Sequence, residues 1–128
     1  MGRRLWCTVA LLALAGWPAS AQGSALDRLM RAKLYCSQKI LEAVVTSRWA
    51  ELDTRSRELE VLTNDPAWTM LKAPEYVKHS DGFRTAVRAL REASAKRDLE
   101  TAPKAYAALT TSCVECHRYL SRSRLAGK

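Results

Sequence analysis

Near the C-terminus three reactive side chains stand together in the run Cys113-Val114-Glu115-Cys116-His117. Two thiols three residues apart, followed at once by an imidazole, form the pattern by which a c-type haem is covalently attached. Each thiol can form a thioether to one haem vinyl group, and the adjoining His is placed to bind the iron from the proximal side. On a helix, Cys113 and His117 are i and i+4 and share a face, with Cys116 one turn from Cys113. All three can therefore converge on one ligand. The expectation is one covalent haem c, held by Cys113 and Cys116, with His117 as proximal ligand of the iron.

Other uses of a Cys-x-x-Cys pair fit less well. A zinc site normally wants a second ligand pair at similar spacing, and the only other thiols are Cys7 and Cys36, the only other imidazole His79. A thioredoxin-like dithiol belongs at a strand–helix junction in a βαβ pattern, and the chain offers no convincing strand. No nucleophile–base pair, carboxylate dyad or phosphate loop is visible either, so no catalysed reaction is expected.

Residues 1–21 read as an export signal. Arg3 and Arg4 form a positive start, and Leu5 to Trp17 is an apolar run short for a bilayer span. Ala19-Ser20-Ala21 supplies the small residues of a cleavage site, placing the cut after Ala21. An uncleaved membrane anchor is the other reading of this segment. Cys7 would leave with the signal. Export agrees with haem attachment, because c-type haems are generally installed after translocation. Removing 21 of the 128 residues leaves 107, residues 22–128, enough for one domain with a modest core.

The precursor carries a formal charge of +8, and loss of Arg3 and Arg4 leaves +6. That charge is spread along the chain with no dense basic block and no aromatic ladder, so nucleic acid is not an expected partner. A basic surface favours acidic proteins or an anionic membrane surface.

The elements that must position the motif are four amphipathic segments. The first runs from about Ala25 to Ser47, with Ser24 as N-cap and an apolar stripe of Leu26, Leu29, Met30, Leu34, Ile40, Leu41 and Val44. The second covers about Trp49 to Thr63, with Leu52, Leu59 and Leu62, and stops at Asn64-Asp65-Pro66. A connection through Trp68, Met70 and Pro74 follows. The third spans about Glu75 to Lys96, using Phe83, Ala86, Val87, Leu90 and Ala93. The fourth starts near Leu99, tolerates Pro103 in its first turn, and reaches about Arg122, with Tyr106, Leu109, Thr110, Cys113, His117 and Leu120 along one side. Such a chain folds most simply as an all-α, antiparallel up-down-up-down four-helix bundle.

In that arrangement the beginning of the first helix lies level with the end of the last. A distal partner for the iron should therefore come from the first turns of the first helix, where Met30 faces inward. A thioether opposite an imidazole gives a six-coordinate iron with a raised reduction potential. Met30 as a gap-filling core residue is the competing reading, with Leu29 or Leu34 then capping the distal side. Lys33 falls within the same stripe and could lift its ammonium to the rim to meet a haem propionate, or simply reach solvent. Cys36 is expected to be a small buried hydrophobe, and His79 to be exposed.

A signal segment, four helices and a haem motif inside the last of them make the chain resemble the cytochrome c′ superfamily. The resemblance covers the whole mature chain in architecture, but its specific residues are Cys113-Val114-Glu115-Cys116-His117 with the placement of Met30. It implies a bacterial periplasmic four-helix-bundle haem protein, often dimeric. Some members have a five-coordinate iron and bind nitric oxide or carbon monoxide. Others carry a Met from the first helix as sixth ligand and look like single-electron carriers serving redox partner proteins; by position Met30 places this chain with them. The family usually has a basic residue four positions after the haem His. Here that position is Ser121, bracketed by Arg118 and Arg122.

Overall fold

The computed structural model describes residues 25–126, and side chains as far as residue 123. The expected signal segment 1–21 and the expected cap Ser24 lie outside the described residues. Those described form five helices and no strand: α1 (Ala25–Val45), α2 (Trp49–Leu62), α3 (Pro66–Thr69), α4 (Pro74–Lys96) and α5 (Thr101–Ala126). None is long and apolar enough to cross a membrane.

The ends of these helices have local causes. Ser47 adopts φ 54° and Arg97 φ 51°. Around each, two backbone bonds close the preceding helix: Arg48 N–H to the Ala43 carbonyl and Ser47 N–H to that of Val44, then Asp98 N–H to Ala93 and Arg97 N–H to Ser94. This left-handed closure ends α1 at Val45, two residues before the expected Ser47. Asp98 then opens α5, its Oδ1 accepting the Glu100 and Thr101 N–H groups at 2.9 and 3.0 Å, which caps the helix next to the start expected near Leu99. Asp65 does the same for α3, accepting from Ala67 N–H at 2.7 Å with Pro66 at the first helical position. The segment expected as a plain connection thus contains a short helix, which fixes Trp68 in the core.

The core follows a spacing of four and three residues, as in bundles with interlocking side chains. On α1 the buried positions are Leu29, Lys33, Cys36, Ile40, Ala43 and Val44; on α2, Leu52, Ser56 and Leu59. On α4 the same rhythm takes Tyr76, Ser80, Phe83, Val87, Leu90 and Ser94. α5 contributes Ala102, Ala105, Leu109 and Ser112. Two expected members of the α1 stripe fall outside it: Leu34 is 60% exposed and Leu41 46%. Each follows a buried residue, Lys33 or Ile40, by one position, which turns it roughly 100° around the helix. The register is decided by Lys33, Cys36 and Ala43, which hydrophobicity alone does not single out.

Packing is uneven. α2 lies against α1 and α4, α4 lies against α5, and α3 touches α1, whereas α1 and α5 meet over only a small area. A bundle closed on three sides and parted on the fourth leaves a cleft between its first and last helices.

Candidate functional site

Two adjoining cavities open along that cleft, of about 440 and 300 Å³. Each falls within the roughly 300–1,000 Å³ typical of small-molecule and cofactor sites. Met30, Lys33 and His117 border both. Cys113 borders the larger, with Phe83, Tyr106 and Val114; Cys116 borders the smaller, with Trp68, Tyr76 and Leu120. The early turns of α1 and the late turns of α5 thus face one space.

Helical spacing along α5 brings the motif to this edge. Cys113 and Cys116 are partly buried, both thiols are free, and His117 is exposed where the two cavities meet. Burial pushes the Cys116 thiol above its ordinary value, and the Lys33 ammonium opposes that shift. Met30 is half-buried against the core. Leu29, expected as an alternative distal cap, is 4% exposed and borders neither cavity, while Leu34 borders the larger from its exposed side.

Lys33 is only 8% exposed. Its Nζ lies 4.0 Å from the centroid of the Trp68 ring and 4.1 Å from that of Phe83, within reach of a cation–π attraction. The two rings are themselves 5.2 Å apart and tilted by 44°. Burial lowers the Lys33 pKa to about 8, with the thiols of Cys113 and Cys116 pulling it back up. The ammonium is directed at the rings, not lifted to the rim. Tyr76 supports this floor by donating its O–H to the Trp68 carbonyl, and burial raises the Tyr76 pKa. The Trp68 Nε1 is buried without a hydrogen-bond partner.

Sequence reasoning missed Trp68, Phe83 and Tyr76 as walls of the site. Phe83 and Tyr76 sit on the α4 core stripe, and only the folded arrangement shows that this stretch lies beside the thiols. For Trp68 a signal existed: Asp65-Pro66, separated from it by Ala67 alone, marks a helix start that would pin the indole.

The remaining candidates lie elsewhere. Cys36 is buried as expected, but it also has a polar partner: its thiol donates to Glu58 Oε2 at 3.4 Å, and burial and that bond push its pKa up to about 11. His79, expected to be exposed, has only 15% of its side chain exposed. α4 packs against α5, and the Tyr119 ring lies 5.7 Å from the imidazole. It borders neither cavity. Ser121 borders the smaller cavity, while Arg118 and Arg122 are exposed.

Among the described residues no group of three or more His, Cys, Asp or Glu side chains converges to hold a bare metal ion. The donor set suits a flat, largely apolar group instead. Two free thiols one turn apart, an imidazole beside them, a thioether across the cleft and aromatic walls meet the needs of a haem c. Comparison with protein-family models, with curated proteins and with solved structures returns no match.

Proposed function

We propose that this chain is an exported mono-haem c-type cytochrome of the cytochrome c′ kind, carrying single electrons between redox proteins outside the cytoplasm. The observation that carries the reading is that Cys113, Cys116, His117 and Met30 all border the one cleft between α1 and α5. Within it, residues 22–128 form the mature domain, an antiparallel up-down-up-down bundle, after cleavage near Ala21 and delivery to the periplasm.

The roles divide by residue. Cys113 and Cys116 would hold the haem as thioethers, His117 would bind its iron on the proximal side, and Met30 would bind on the distal side. When bound, a haem c supplies a one-electron Fe(III)/Fe(II) couple. The chain's own task is to keep the same two ligands in both oxidation states, so that little rearranges as the electron arrives and leaves. Leu26, Tyr106 and Leu120 shield the cleft from water, while the exposed edge at His117 and Val114 leaves a route for the electron. A basic mature chain would meet acidic or membrane-bound partners faster, and pairing of two chains accords with the family resemblance. The group filling the cleft would also add binding free energy to folding, so the unloaded chain should be markedly less stable.

The test is export of the full chain in a host that matures c-type cytochromes, followed by intact-mass measurement and a reduced-state absorption spectrum with and without carbon monoxide. The expected product lacks residues 1–21, carries one haem, and shows sharp split bands indifferent to carbon monoxide. A mass without added haem refutes the reading. Haem with broad bands that respond to carbon monoxide would make the chain a five-coordinate gas-binding protein of the nitric oxide or carbon monoxide type.

A further inference from the structure

We infer that Lys33 acts as a buried, uncompensated cation that raises the reduction potential of the group held by Cys113, Cys116 and His117; this deepens the cytochrome reading and rests on it.

Placement comes first. Lys33 is the charged member of the buried α1 stripe, and it borders both cavities together with Met30 and His117. Whatever occupies the cleft between the thiols and Met30 lies beside it. Its ammonium rests against the ring faces of Trp68 and Phe83 and, among the described residues, not in an ion pair.

Compensation comes second. Several cations among the described residues face an anion: Arg55 pairs with Glu51 and Glu58, Arg57 with Asp53, and Arg91 with Glu60. Such pairs cancel at a distance. Lys33 is held by the faces of Trp68 and Phe83. An aromatic quadrupole attracts a cation but carries no net charge, so the field of the ammonium survives. In a buried site that field is weakened by solvent and salt far less than the field of a surface Lys.

The sign follows from charge balance. Oxidation removes one electron from the iron, passes it to the acceptor protein and leaves one more positive charge in the cleft. A fixed cation beside it disfavours that charge, favours the ferrous state and lifts the midpoint potential. The orientation of Lys33 toward the rings, and away from the rim where a propionate could neutralise it, is what gives it this role. It is a positioning residue for charge and touches no reacting atom.

The experiment is an equilibrium redox titration, followed by absorption, of the mature haem-loaded protein and of Lys33→Gln, Lys33→Met, Lys33→Arg and Arg31→Gln. Lys33→Gln and Lys33→Met should lower the midpoint potential with ligand bands unchanged. Lys33→Arg should retain most of it. Arg31→Gln removes an exposed cation bordering the larger cavity and should shift the potential less than Lys33→Gln. An unchanged potential in both neutral variants overturns the inference, as does a drop in Lys33→Arg equal to that in Lys33→Gln, or a shift in Arg31→Gln as large as theirs. Wild-type protein without haem would refute the cytochrome reading itself, which intact mass separates from an unchanged potential.

Discussion

Met30 on α1 and His117 on α5 stand at the shared border of two cavities, one lined by Cys113 and the other by Cys116. They come from the first and last helices, which barely touch elsewhere. The cleft is therefore bordered by a thioether from one helix and an imidazole from the other.

From this placement, Met30→Ala should convert the haem-loaded protein to a high-spin form that binds carbon monoxide. Met30 is only partly buried, so the truncation should cost less than the roughly 2–5 kcal/mol of a fully buried Met, and the fold should survive. The check is the reduced spectrum with and without carbon monoxide. A spectrum identical to the wild type removes Met30 as a ligand while leaving Cys113, Cys116 and His117 in place.

Thiol accounting gives an independent measure of attachment. If, as proposed, Cys7 leaves with the signal and Cys113 and Cys116 become thioethers, Cys36 is the one thiol left. It is 4% exposed and bonded to Glu58. Native mature protein should therefore resist alkylation, denatured protein should take up one label, and denatured Cys36→Ser should take up none. Three labels on the denatured wild type would mean that no thioether had formed.

The helices were largely legible because the 3.6-residue rhythm carries far in a chain of bundle-forming segments. Phe83, Ala86, Val87, Leu90 and Ala93 form the core face of α4 as read from sequence. Leu34 and Leu41 misled because residue type was weighed above register; Lys33, Cys36 and Ser56 occupy the buried positions that strict four–three spacing assigns them. His79 looked polar in its local run, but the Tyr119 ring from α5 lies against it. The motif on α5 was legible because its spacing is local. The aromatic floor was not, since Trp68 and Phe83 meet across α3 and α4 and are brought under Lys33 by a third helix.

Alkaline pH should weaken the fold through Cys36. Its folded pKa is raised from 9.0 to about 11, so between those values the unfolded chain has lost a proton that the folded chain keeps. Stability from this group is complete below about pH 9 and falls as pH rises toward 11. The two-unit difference corresponds to roughly 2–3 kcal/mol. Denaturant unfolding of haem-loaded protein at pH 8.5 and 11 should show the loss, and Cys36→Ala should flatten it. Equal pH slopes in wild type and variant would falsify the assignment.

Arg97 offers the opposite change, a gain in stability remote from the cleft. It closes α4 at φ 51°, a conformation that a side chain disfavours by about 1 kcal/mol or more and that glycine adopts freely. The backbone bonds of that closure, Asp98 N–H to Ala93 and Arg97 N–H to Ser94, need no side chain at this position. Arg97→Gly should therefore stabilise the protein by about 1 kcal/mol, read as a higher denaturant midpoint with the same slope. Asp98→Ala, which strips the cap from Glu100 and Thr101 N–H, should cost about 1 kcal/mol. Both changes lie in the α4–α5 connection, outside either cavity, so the reduced spectrum should be the same in both variants. A spectral change in Arg97→Gly would show instead that this turn sets where α5 presents Cys113, Cys116 and His117.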